Sequence, residues 1–140
     1  MITVQIACAT PSSELSRSVA DAISDLTASI LGKDPKVTSV AVQFVDPQHW
    51  YIGGERLARL GQAAFFLETR ISDGTNTKAE KAEYVARAFA AMRRILGGTH
   101  EESYVHVHDA RADPYGYGGV TQERRFIVST AVAAHTRIPA

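Results

Sequence analysis

The sequence is short of cysteine: Cys8 is the only one in 140 residues. A single thiol excludes an intramolecular disulfide and any metal centre built on several thiolates. Its alternating surroundings read as those of a buried structural thiol on a strand. Excess charge of either sign is also missing, because 15 Lys and Arg face 15 Asp and Glu. Neither nucleic acid nor an anionic membrane is therefore an expected partner. No apolar run approaches the roughly 20 residues of a membrane-spanning helix, and the basic-then-apolar order of a signal peptide is absent, so a cytoplasmic protein is expected. What is present, 45% hydrophobic and 21% charged residues, is an ordinary globular composition, enough for a single domain over 1–140 with one sizeable core.

The informative feature is internal repetition. "HWYIGG" at 49–54 returns as "PYGYGG" at 114–119, 65 positions later. At the same offset, without a gap, Ile30-Leu31-Gly32 falls on Ile95-Leu96-Gly97, Val40 and Val42 fall on Val105 and Val107, and Trp50 falls on Tyr115. Independent turn glycines do not account for these other matches. The chain reads as two copies of one unit, about 1–60 and 61–125, followed by a C-terminal tail.

Each copy reads as strand, helix, strand and short hairpin. Ile2, Val4 and Ile6 alternate with Thr3, Gln5 and Ala7, the period of a half-buried strand, and "FFLETRIS" is its counterpart. Leu15, Val19, Ile23, Leu26 and Ile30 form one helical face, with Ser12 or Ser13 as the cap and Gly32 as the stop. From Thr77 to Gly97 the expected face is Ala82, Val85, Phe89, Met92 and Leu96. Strands follow at "VTSVAVQFV" and "ESYVHVHDA". A strand, helix, strand unit within one sheet makes a right-handed crossover. Two such units predict an α/β (α+β) fold, a four-stranded sheet with both helices on one face. Val40, Val42, Val105 and Val107 should point to the helices, and Ser39, Ala41, Gln43, Tyr104, His106 and His108 away from them. The bare face needs a cover, which predicts an oligomer. "GERLARLGQAA" reads as an amphipathic linker between the copies, not a phosphate loop, and the tail after Phe126 as packing on a neighbour.

With that unit in view, "VTSVAVQFVDPQHWYIGGE" resembles the 4-oxalocrotonate tautomerase pattern of the tautomerase superfamily. The doubled length is similar to the fused members, such as malonate semialdehyde decarboxylase and the cis-3-chloroacrylic acid dehalogenases. The resemblance implies a homotrimer around a central β-barrel, and keto-enol chemistry on a small carbonyl or carboxylate compound. It also implies an N-terminal catalytic proline and partner arginines. Here the sequence departs from the family: it begins Met1-Ile2-Thr3, its first proline is Pro11, and the loop "SDGTNTKAEK" carries Asn76 where family members have arginines. Ile2 is too large to permit removal of Met1. Weak or no turnover of standard family substrates is therefore expected, and the alternative is a non-catalytic trimeric scaffold or small-ligand-binding protein.

The repeat also locates the candidate chemistry. It pairs Thr3 with Glu68, Gln5 with Arg70, Ala41 with His106 and Gln43 with His108, so the ionisable groups lie on the second copy alone. The Met1 amine, whose kind ordinarily titrates at about 7.7 to 8.0, is the candidate base. Arg70 or Arg111 are candidates for binding a carboxylate, and His106 and His108, at i and i+2 on a strand, for contacting substrate. Trp50 and Tyr115 can line a pocket, although packing is the preferred reading for them, as subunit contact is for the face as a whole. No metal and no cofactor is assigned.

Overall fold

The computed structural model describes residues 1–137. It has two compact units, one of Met1–Arg70 with Asn76–His108, the other of Ile71–Thr75 with the residues from Asp109 onward. The elements are β1 (Ile2–Ala7), α1 (Ser13–Leu31), β2 (Val40–Phe44), β3 (Tyr51–Ile52), β4 (Glu55–Arg56), α2 (Leu57–Leu60), β5 (Ala64–Ser72), α3 (Lys78–Leu96), β6 (Tyr104–Ala110), β7 (Gly116–Tyr117), β8 (Val120–Thr121) and α4 (Gln122–Thr136). The sheet has the order β2-β1-β5-β6. β1 runs parallel to β2, with Thr3 opposite Ala41, and antiparallel to β5, with Thr3 opposite Glu68.

The alternation along the strands decides which side is buried. Ile2, Val4, Ile6, Leu67 and Thr69 are inaccessible, whereas Ala41, Gln43, Tyr104, His106 and His108 are exposed on the other parity, as the sequence predicts. α1 and α3 meet on the buried side. The Tyr84 hydroxyl on α3 lies 3.1 Å from Thr27 Oγ1 on α1 and 2.7 Å from Thr69 Oγ1 on β5, so one phenol joins both helices to the sheet. Burial pushes that phenol up, against the opposing effect of its two threonine partners. A buried hydroxyl without partners would cost about 1–3 kcal/mol, which is why this one is shared.

The expected face of α3 requires correction. Val85 and Ala82 are exposed, and the buried residues are Tyr84, Ala88, Ala91 and Met92. On α1 the buried set is Val19, Ile23, Thr27 and Leu31, with Leu15, Leu26 and Ile30 only half-buried. Val19, Ile23 and Thr27 are the repeat counterparts of Tyr84, Ala88 and Met92. These three positions are buried in both copies with different side chains, whereas Leu31 and Ala91 are buried and their counterparts Leu96 and Leu26 are only half-buried. Apolar periodicity misplaced the second face because it scored the exposed Val85 above a tyrosine and an alanine.

The copies also share their backbone hydrogen bonds. Ser12 caps α1 by accepting from Leu15 N, and its counterpart Thr77 caps α3 by accepting from Glu80 N. Gly32 N donates to Ala28 O at 3.1 Å and Gly97 N to Arg93 O at 3.0 Å. Both glycine pairs make two-residue hairpin loops with φ of 59° and 80° at Gly53 and Gly54, and of 60° and 78° at Gly118 and Gly119. Two consecutive positive φ values define a turn that suits the strand twist and excludes most side chains. After each hairpin a helix begins from the same bond, Leu57 N to Trp50 O and Gln122 N to Tyr115 O, each 2.8 Å. The segment read as a linker therefore closes the first hairpin and adds the one-turn α2. The segment read as a tail is α4, and Ile138, Pro139 and Ala140 lie outside the described residues.

Candidate functional site

The open face of the first unit gathers four of the candidates. Met1 stands at the start of β1, where its carbonyl accepts from Arg70 N at 3.0 Å, so strand pairing fixes the terminus beside β5. Burial, and after it the Arg70 guanidinium, lowers the affinity of the Met1 amine for a proton. Both effects disfavour the charged form, leaving more of the amine as free base at neutral pH. Arg70 Nε lies 2.8 Å from Glu68 Oε1, and His106 Nδ1 lies 3.5 Å from Glu68 Oε2. Glu68 Oε1 has a close cation but no well-directed hydrogen bond. His108 completes the group, its ring meeting that of His106 edge-on with centroids 5.6 Å apart.

On the first copy the same positions are neutral. Gln5 Nε2 donates to Gln43 Oε1 at 3.3 Å, where the second copy has Arg70 and His108. Sequence comparison of the copies could therefore find Glu68 as well as the histidines.

The remaining candidates have other surroundings. Trp50 is half-buried and packs with Val45 and Ile52 on a cluster of Ala7, Leu57 and Ala64, a packing role. Arg111 and Tyr115 belong to the second unit, where Arg111 pairs with Asp113 at 3.0 Å and Tyr115 O accepts from Gln122 N. Sequence reading missed Arg125, whose guanidinium lies 3.7 Å from the Tyr117 ring centroid while Nη2 donates to Tyr117 O at 2.8 Å. Asn76 plays a structural part, since its side-chain nitrogen donates to Leu31 O at 3.0 Å and to Glu80 Oε2 at 2.6 Å, tying the end of α1 to the start of α3. Cys8 is half-buried beside a cavity of about 890 Å³ that is also lined by Thr10, Ser12, Glu14 and Asp46, and burial raises its thiol. A raised thiol is mostly protonated at neutral pH and a poor nucleophile.

Among the described residues no group of three or more His, Cys, Asp or Glu is arranged to hold a metal ion, and no helix is long and apolar enough to cross a membrane.

Comparison with known proteins agrees with this architecture. The Tautomerase family, described as tautomerase enzyme, matches residues 1–59, the first of the two copies. A fused 4-OT solved as a symmetric trimer superposes with a TM-score of 0.77 at 18% identity, covering 89% of this chain and 97% of that one. A malonate semialdehyde decarboxylase, FG41, inhibited by 3-bromopropiolate, covers 99% of both chains with a TM-score of 0.66 at 15% identity. The macrophage migration inhibitory factor of Trichinella spiralis gives 0.62 at 21% identity, over 85% of this chain and 98% of its own. None of the curated proteins matches the chain in sequence. The chain thus has the tautomerase fold over nearly all its length, and resembles the tautomerase superfamily in its first copy by sequence as well.

Proposed function

We propose that the protein is a divergent tautomerase-type enzyme acting on a small carbonyl or carboxylate compound, with the Met1 amine as base and Arg70 as the group nearest to an incoming carboxylate. The observation that carries this reading is the position of the amine. The Arg70 N–H bond to the Met1 carbonyl holds the terminus beside β5, and burial and the guanidinium both favour the unprotonated form of the amine. A general base works best when its proton affinity lies near the working pH. The open face is covered by two further copies of the chain in a homotrimer around a central β-barrel, an arrangement favoured by the bare face and by the trimeric state of the fused 4-OT relative. Cytoplasmic residence fits the lone, half-buried thiol.

A second reading, a non-catalytic trimeric scaffold or small-ligand-binding protein, is favoured by one observation. Arg70 is already paired with Glu68, which offsets the charge that would draw a carboxylate. The deciding experiment is ketonisation of phenylenolpyruvate by the wild type, by the wild type with its amine acetylated, and by Ile2→Pro. Removal of Met1 from that variant exposes a proline amine, and intact mass confirms which terminus each sample carries. The proposal expects slow wild-type turnover, lost on acetylation and faster in Ile2→Pro. Silence in all three favours the scaffold.

A further inference from the structure

We infer that His106 is a second proton-transferring group of the open face and that Glu68 is its positioning residue. The inference rests on the enzymatic reading above and extends it from one base to two.

Glu68 sits on β5 with its side chain only 14% exposed, and His106 on β6 with its side chain 52% exposed. Taking a carboxylate out of water is costly unless it is paired and hydrogen-bonded. Here one oxygen meets Arg70 Nε at 2.8 Å, the other meets His106 Nδ1 at 3.5 Å, and Oε1 still lacks a well-directed hydrogen bond. The sheet itself does not demand this arrangement. The same two positions in the first copy hold Thr3 and Ala41, directly opposite one another, and β1 and β2 pair there without any charge. A carboxylate on the Nδ1 side of an imidazole draws the neutral ring's proton to Nδ1 and leaves Nε2 as the acceptor. His108 from β6 meets the ring edge-on, Arg70 from β5 pairs with the same carboxylate, and Tyr104, two residues before His106 on β6, shares its strand parity.

In the ketonising direction the free Met1 amine takes the enol O–H proton, and that bond pair becomes the second bond of the carbonyl. The C=C electron pair takes a proton from His106 Nε2–H of the imidazolium, forming the new C–H bond and leaving neutral histidine. Water then carries the proton from the Met1 ammonium back to the imidazole, so no oxidant or co-reactant is consumed. The ligand class is a small enol or α-keto carboxylate, its carboxylate toward Arg70.

The test combines kinetics with tautomer measurement. His106→Gln should lower kcat by about a hundredfold or more, the usual contribution of a general acid or base, with a smaller change in KM. Glu68→Gln should fall between the wild type and His106→Gln in kcat, and Glu68→Asp should recover part of the loss. In 15N-detected NMR, wild-type His106 should be the Nδ1–H tautomer when neutral, and Glu68→Gln should abolish that preference. If the wild type turns over and His106→Gln keeps its kcat, this inference is overturned while the amine reading stands. If the wild type and Ile2→Pro are both silent, the amine reading fails and the catalytic half falls with it. The NMR result then decides the positioning half, and an Nε2–H tautomer in the wild type overturns that as well.

Discussion

The two copies of the unit are most alike in the geometry of their turns and least alike in the side chains of the open sheet face. The φ angles of their hairpin glycines agree to within a few degrees, their post-hairpin bonds have the same length, and their helices share three buried positions, Val19, Ile23 and Thr27 with Tyr84, Ala88 and Met92. The open face differs at each outward position from the first strand of a copy to its second: Thr3, Gln5, Ala41 and Gln43 in one, Glu68, Arg70, His106 and His108 in the other. The copies also end differently. α2 stops after one turn, with Leu57 fully buried, whereas α4 runs from Gln122 to Thr136 with no buried residue and Phe126 70% exposed. The turn geometry is thus common to both copies, and the ionisable groups of the open face are concentrated in one.

Substitutions at counterpart positions sharpen that contrast. The largest stability effect should come from the helix pair. Ile23→Ala removes a fully buried side chain and should cost about 2–5 kcal/mol, while Ala88→Leu, at the counterpart position, overfills the contact and should cost about 1–3 kcal/mol. Urea unfolding of the two variants measures both, and equal small losses would show that the face is not packed as described. Next comes Tyr84→Phe, which strips Thr69 and Thr27 of a shared hydroxyl. It should cost about 1–3 kcal/mol, an effect with no equivalent at Val19, the first copy's counterpart.

The smallest effect lies at the helix starts. Ser12→Ala and Thr77→Ala should each cost about 1 kcal/mol, with Thr77→Ala the larger, because Thr77 closes a capping box with Glu80 while the first copy has Leu15 at that place. The Asn76 hydrogen bond, then the Thr77 backbone N–H, hold the Glu80 carboxyl below its ordinary range. A depressed folded-state value stabilises the fold at pH above the unfolded carboxyl's range and is lost as pH falls through the folded one. The gap between the two variants should therefore narrow in acid. A gap that widens as pH falls would contradict the box.

Most of the fold was legible because period-2 alternation, capping residues and the gap-free repeat all act locally. Ser12 and Gly32 have the capping roles their sequence context indicates, and the repeat offset places Thr77 at the counterpart of Ser12. The α3 face was misread because Tyr84 is buried through two hydroxyl partners distant in sequence, Thr27 and Thr69, which a window of neighbours does not contain. Applying the 65-residue offset to Val19 and Ile23 would have found it. Of the site, the residue types of the open face were legible, but the pairing of Glu68 with Arg70 and His106 depends on strand order. Arg111 and Tyr115 were singled out by residue type alone; Arg111 pairs with Asp113 and Tyr115 O accepts from Gln122 N. Arg125 carried no periodic signal, since its role comes from stacking on Tyr117.

The central claim is that proton chemistry resides on the second copy's half of the open face, beside the Met1 amine. Its most direct test is the pH dependence of phenylenolpyruvate ketonisation for two counterpart variants, Arg70→Ala and Gln5→Ala. Removing the guanidinium takes away one of the two effects that lower the amine, so its value should rise toward the ordinary range. Arg70→Ala should accordingly lose about tenfold or more in kcat/KM and move the ascending limb of its profile to higher pH. Gln5→Ala should keep the wild-type profile within about twofold, as expected for an exposed neutral group outside the reaction. An unchanged limb in Arg70→Ala, or an equal loss in both variants, would contradict the account.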